Sequence, residues 1–247
     1  MTYSLDDVRT TLKPRDSWWT VLLVDPVAIR LTRFTANRTP LTPSEVTVCA
    51  FLLGIASATC FALNHLIAGA LLYHCSFILD CVDGKLARLK GEGSPFGGWL
   101  DYMLDRLRVA CCAAALAGGQ YVVTGDHRYL VVGVALVLMD LFRYMNGLQV
   151  GKARRTMLAE PDVAPRSFTS PSVLRRHRVR MRLVSGIEFQ MAAFIVAPLT
   201  GLIIPVTVAA GAVLVFFECV LIGQFWRQAR EYSRVCRPVP ERVPAVR

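Results

Sequence analysis

Long apolar runs separated by short polar punctuation dominate the chain, without the period-2 alternation of half-buried strands. Six runs, at residues 45–63, 66–88, 97–118, 128–149, 186–202 and 204–226, are each close to the ~20 residues that carry a helix across a ~30 Å hydrocarbon core. The pattern predicts an all-α, polytopic membrane protein of six transmembrane helices. The last two runs meet at a tight hairpin around Gly201 to Pro205, with a single merged helix as the alternative. Before the first run, residues 5–36 mix Trp18, Trp19, Val21, Leu22 and Leu23 with Arg30 and Arg33, as a helix in the headgroup layer would. Asp25-Pro26 is expected to divide it. Residues 159–172, rich in proline, serine and threonine, read as a loop. The chain therefore divides into an interfacial N-terminal part (1–44), a six-helix membrane domain (45–226) and a basic tail (227–247).

Composition agrees: of 247 residues, 54% are hydrophobic and 19% charged, and the mean hydropathy is +0.43. The formal net charge of +10 argues for anionic headgroups or phosphorylated substrates rather than nucleic acid, because the basic residues flank apolar spans. They fall in the N-terminal part, in the second connection (Lys85, Arg88, Lys90), in the fourth (Lys152 to Arg182) and in the tail, whereas the alternate loops contribute only Arg128. That asymmetry places both termini, and the connection after the second run, in the cytoplasm of a cell-membrane protein. Cys49, Cys60, Cys75, Cys81, Cys111, Cys112 and Cys219 lie inside apolar runs and read as small buried hydrophobes rather than a disulfide framework or a zinc site.

The chemistry is concentrated in DCVDGKLARLKGEGSPFGGWLDYMLDRLR, residues 80–108. Ionised groups at membrane depth are costly and by default functional. Asp80 and Asp83 share one helical face, and Asp101 and Asp105 share a face on the next helix. Carboxylates meeting across such a hairpin repel one another unless some are protonated or hard cations neutralise them; Mg²⁺ or Mn²⁺ is the natural occupant. A metal pair suits phosphoryl transfer, and a remaining carboxylate can take a hydroxyl proton. Gly84, Ala87 and Gly97 leave room for a nucleotide, and Arg88 sits where a guanidinium can bind phosphate.

The spacing Asp80-x2-Asp83-Gly84-x2-Ala87-Arg88-x8-Gly97-x3-Asp101-x3-Asp105 resembles the signature of the class I CDP-alcohol phosphatidyltransferase family at every fixed position. The resemblance implies metal binding by Asp80, Asp83 and Asp101, with Asp105 near a second metal and acting as general base. It implies CDP contacts from Gly84 and Arg88, with Ser94 where relatives often carry a hydroxyl residue. The family's Pro-Asn-x-x-Thr element reads Pro43-Ser44-Glu45-Val46-Thr47 here, so serine replaces asparagine. Pro43, Thr47, Gly84, Ala87, Arg88, Ser94 and Gly97 are thus the expected nucleotide residues, and Arg106, Arg175 and Arg178 the candidates for an acceptor phosphate. The implied reaction, a step of phospholipid biosynthesis, transfers a phosphatidyl or other phospho-alcohol group from a CDP-alcohol such as CDP-diacylglycerol to an acceptor hydroxyl, releasing CMP. The basic fourth connection favours a phosphorylated acceptor. A CDP-linked headgroup moving onto a lipid or polyol is the alternative, and a homodimer is the implied assembly. A cation transporter would not require the glycines, Ala87 and Arg88 at their offsets, and a catalytically dead lipid-binding protein predicts the loss of an aspartate. Outside the signature, Asp140 and Arg143 are expected to form an internal ion pair, and Glu218 has no assigned role.

Overall fold

Side-chain caps set where the helices begin. In the computed structural model, which describes residues 2–158 and 185–235, α1 (Leu5–Thr10) opens on a reciprocal capping box between Ser4 and Asp7. An irregular stretch follows, then a π-helical turn, Thr20–Val24, running directly into α2 (Asp25–Arg38). Pro26 does not divide this segment: it stands in the first turn of α2, directly after the π-helical turn, whose Thr20 carbonyl accepts from the Asp25 N–H. The interruption falls between α1 and the π turn instead. The polar face of α2, Asp25, Thr32 and Thr35 with Ala28, is buried, while Leu22, Leu23, Val27 and Phe34 point outward. That inverted amphipathicity suits a helix whose outer side meets lipid.

α3 (Pro43–Ala62) is capped by Thr42 with Glu45 reaching back. α4 (Leu66–Lys90) ends at Gly91, whose φ of 69° is the left-handed cap conformation that glycine adopts without penalty. Three residues later Ser94 caps α5 (Pro95–Thr124), accepting from the Gly97 N–H at 2.9 Å. The α4–α5 hairpin is therefore punctuated at both ends by its own sequence. α3, α4 and α5 approach closely through small residues, as membrane helices do. Ser57 donates to the Gly69 carbonyl at 2.7 Å, Ser76 to the Ala50 carbonyl at 2.6 Å, and a Cβ on Gly119 would lie 2.4 Å from the Phe61 carbonyl oxygen.

α6 (Arg128–Leu158) leads to the residues outside the described set, which include the expected 159–172 loop, Arg175 and Arg178. α7 (Gly186–Thr200) carries a π-helical turn at Ala192–Val196, and Gly201, with φ of 72°, turns the chain into α8 (Ile203–Val235). A hairpin, not a merged helix, therefore joins the last two segments. Among the described residues there is no strand, and five helices (α3, α4, α5, α6 and α8) are long and apolar enough to cross a membrane. α7 is the exception: a helix of its length rises about 22 Å at 1.5 Å per residue, short of a ~30 Å core. Its side chains, among them Phe189, Met191, Ala193 and Phe194, are buried inside the bundle. A continuous apolar run is what a helix enclosed on all sides requires, so hydropathy alone does not separate α7 from a lipid-facing span. The other late helices outrun their apolar windows because polar helix continues beyond the hydrocarbon.

The outer surface is apolar, with Leu52, Leu71, Val122, Val131, Leu138 and Phe216 all exposed. Cys49, Cys75 and Cys219 lie on it as free thiols, so of the cysteines expected to be buried only Cys112 is fully so among those described. One ion pair locks the N-terminal helix to the α4–α5 hairpin: Lys85 Nζ of α4 lies 3.0 Å from Asp25 Oδ1 of α2, with side chains 5% and 6% exposed. Removing one partner strands a buried charge. Lys85→Met should therefore destabilise the protein by about 3–5 kcal/mol in detergent unfolding, and Lys85→Met/Asp25→Leu should recover most of the loss.

Candidate active site

The helical offsets of α4 and α5 converge on one point. Asp80 and Asp83 come from the last turns of α4 and Asp101 from the second turn of α5, and one carboxylate oxygen of each lies within 4.8 Å of the other two. Asp83 is buried and accepts a 2.6 Å hydrogen bond from the Thr47 hydroxyl of α3. Three oxygen donors of this kind, without sulfur or imidazole, fit a hard divalent cation such as Mg²⁺ or Mn²⁺. Asp105 stands apart from the trio: one oxygen receives the Arg106 guanidinium and the other that of Arg108. Of the four aspartates expected at the metal, Asp80, Asp83 and Asp101 stand together, and Asp105 lies beside them bound by two guanidiniums.

Two cavities meet at the trio. The larger, about 370 Å³, is lined by Pro43, Ser44, Thr47, Gly84, Ala87, Arg88, Ser94 and Gly97, with the Gly91–Gly93 turn. All the residues expected at the nucleotide therefore border one cleft. Thr47, however, has its hydroxyl committed to Asp83 and to the Pro43 carbonyl. Arg88 is exposed at the mouth, its Nε donating to the Thr11 carbonyl at 2.7 Å. The smaller cavity, about 220 Å³, is bounded by Lys13, Asp16, Asp80, Asp105, Arg106, Arg143 and Gln190. Asp83, Gly84, Arg88 and Asp101 belong to both walls.

Around Asp105 the polar side chains close into a ring. Arg106 bridges Asp105 to Asp140 of α6; Gln190 of α7 donates to Asp140 at 2.9 Å; the Tyr73 hydroxyl of α4 reaches Gln190 at 3.5 Å. The Arg108 guanidinium lies 5.7 Å above the Tyr73 ring and returns to Asp105. The expected Asp140–Arg143 pair is present at 3.6 Å, but Asp140 serves mainly Arg106 and Gln190. Arg106, expected at an acceptor phosphate, is held by two carboxylates while its Nε, buried beside the smaller cavity, has no partner. Glu218 of α8 accepts from Asn146 of α6 at 2.9 Å, away from both cavities.

Sequence reasoning missed Arg108, Tyr73, Gln190, the Asp25–Lys85 pair and Glu188, whose carboxylate accepts from the Trp18 backbone N–H at 3.0 Å. Arg108 carried a usable signal, a cation inside an apolar helix three residues beyond an aspartate. The others depend on contacts between elements distant in sequence.

The sequence model for CDP-alcohol phosphatidyltransferase matches residues 40–223. The chain belongs to that family. The CDP-alcohol phosphatidyltransferase match spans α3 to α8 and includes every aspartate of the trio and the ring. Among relatives, the chain is 48% identical over 65 residues to a bifunctional IPC transferase and DIPP synthase of Thermococcus kodakarensis, covering 26% of this chain and 15% of that protein. It is 40% identical over 80 residues to an archaetidylinositol phosphate synthase of Pyrococcus horikoshii, covering 32% of this chain and 42% of that protein. The matched segments thus span less than half of either relative. In fold it resembles the Mycobacterium tuberculosis phosphatidylinositol phosphate synthase solved with CDP-DAG bound, at a TM-score of 0.51 and 18% identity over 78% of this chain and 90% of that one.

Gly54 of α3 makes the ring possible, since a Cβ there would lie 2.6 Å from Cγ and Cδ of Arg108. Gly54→Val should cost about 1–3 kcal/mol by overpacking. The same detergent unfolding measurement should show a much smaller effect for Gly98→Ala, where the added Cβ meets nothing within 4 Å.

Proposed function

We propose that the protein transfers a phosphatidyl or related phospho-alcohol group from a CDP-alcohol, such as CDP-diacylglycerol, to the hydroxyl of a second alcohol, releasing CMP. The observation that carries this reading is the carboxylate trio at the junction of two cavities, one bordered by the signature's small residues and Arg88. The larger cleft takes the cytidine diphosphate, with Gly84, Ala87 and Gly97 leaving room for the nucleotide and Arg88 binding a phosphate. The smaller cavity takes the acceptor, and the unpartnered Arg106 Nε favours an acceptor that carries a phosphate. Arg175 and Arg178 are further candidates for the same phosphate.

Asp80, Asp83 and Asp101 would hold divalent metal, Mg²⁺ or Mn²⁺, which when bound supplies positive charge against the pyrophosphate of the donor. The chain's own groups do the rest. Asp105 faces the acceptor cavity with two of its roughly four lone-pair positions taken by guanidiniums, leaving others free for a hydroxyl proton. As the acceptor oxygen bonds to the phosphorus distal to cytidine, its proton passes to Asp105. The bond from that phosphorus to the bridging oxygen breaks, and CMP leaves. α7, enclosed by the bundle and too short to cross the core alone, fills the place of the sixth run. The basic connections favour a site on the cytoplasmic side, and a homodimer is the assembly we infer.

The test is CMP release by purified protein with CDP-diacylglycerol and a panel of alcohols, including inositol phosphate and glycerol phosphate. CMP should appear with one acceptor, stop on chelation and return with Mn²⁺. Asp105→Asn should lower the rate by about 10²–10⁴-fold while the protein remains folded. CMP released only from CDP-linked headgroups offered with a lipid alcohol would reverse the donor assignment, and no CMP from either panel would overturn the reading.

A further inference from the structure

Between α1 and the π-helical turn the chain is irregular, yet it is tied down at both ends. The Thr11 carbonyl accepts from Arg88 Nε of α4 at 2.7 Å, and the Trp18 N–H donates to Glu188 Oε1 of α7 at 3.0 Å. The other Glu188 oxygen accepts from the Ser185 N–H at 2.8 Å, so a single buried carboxylate secures both the start of α7 and this segment. Ser17, 1% exposed, closes the stretch by accepting from the Thr20 N–H at 3.0 Å. Connecting segments ordinarily run loosely over a surface. This one is a strap fastened to two of the helices that line the smaller cavity.

The strap itself contributes Leu12, Lys13, Asp16 and Thr20 to that cavity. None of the four falls within residues 40–223, the stretch that matches the family model, so this wall can vary without touching the signature aspartates and glycines. Asp16 is buried, with Oδ1 accepting from the Ser17 N–H at 2.8 Å. Lys13 is the cation of the strap's wall, exposed, with the backbone fixed on either side of it at Thr11 and Trp18. An ammonium on a flexible stem acts on a phosphate as a point charge and needs no planar match to it.

We propose that Lys13 is a specificity-determining residue for the acceptor, binding the phosphate of a phosphorylated alcohol in the smaller cavity. The acceptor is then selected in part by a segment that lies outside the family signature. The inference rests on the reading of the smaller cavity as the acceptor site and adds to that site a residue and a wall.

The test is steady-state CMP release by the full chain in detergent with CDP-diacylglycerol and the phosphorylated acceptor that supports it. Lys13→Met should raise the acceptor KM about tenfold, the loss of one hydrogen bond to a charged group, with kcat and the donor KM unchanged. Lys13→Arg should restore most of the affinity. Arg9→Met removes the same charge from α1, where Arg9 pairs with Asp6 and borders neither cavity, and should leave the acceptor KM as it is. An unchanged acceptor KM in Lys13→Met, an equal rise in Arg9→Met, or an acceptor that carries no phosphate would overturn the proposal while the reaction stands. Should no donor and acceptor release CMP, calorimetric titration with inorganic phosphate in the presence of chelator reads the site directly. Phosphate bound about tenfold more weakly by Lys13→Met than by Arg9→Met would then uphold the site and sink only the proposed reaction; equal binding by the two would sink both.

Discussion

Carboxylates enclosed by apolar helices must be neutralised where they stand, and this constraint organises the molecule. Asp105 and Asp140 are met by Arg106 and Arg108, Asp80 by Arg108 and Asp25 by Lys85, while the Asp80–Asp83–Asp101 trio gathers three carboxylates at one point. Pairing of this kind adds little net stability over a well-packed apolar core, but breaking it is expensive, so it fixes geometry more than it strengthens the fold. Here the geometry fixed is that of the candidate site: α4 and α5 supply the acids, α6 and α7 hold the guanidinium side, and α2 is pinned beside them.

Much of this was legible in the chain. Residues 80–108 could be read because helical periodicity is local: offsets of three and four residues put Asp80 with Asp83, and Asp101 with Asp105, on shared faces. The turn between them announces itself through Gly91, Ser94 and Pro95. Pro43 and Thr47 are grouped with the glycines by the family resemblance, not by periodicity, and they border one cleft with them. What periodicity could not do was distinguish the carboxylates that gather in the trio from the one that faces guanidiniums. That distinction between Asp101 and Asp105 depends on Arg108, whose direction is set by Gly54 in another helix.

The incomplete readings share that origin. Asp140 looked satisfied by Arg143 on its own helix, yet its stronger partners come from α5 and α7, far away in sequence. Pro26 looked like a break because proline interrupts helices internally, and only the start of α2 at Asp25 shows that it occupies a permissive first turn. α7 looked like an ordinary span because hydropathy reports what a side chain avoids and not whether lipid or protein surrounds it. Its length and burial carry that information.

The ring through Asp105, Arg106, Asp140, Gln190, Tyr73 and Arg108 has a consequence for how such a sequence can change. Each member has two neighbours, so the first loss leaves two partners under-satisfied, whereas a second loss beside it removes a group already stranded. Substitutions around the ring are therefore non-additive, and their double-mutant cycles carry coupling energies. A lineage leaving this arrangement would cross a valley of poorly tolerated single changes, and positions as far apart in the chain as 73 and 190 would drift together or not at all.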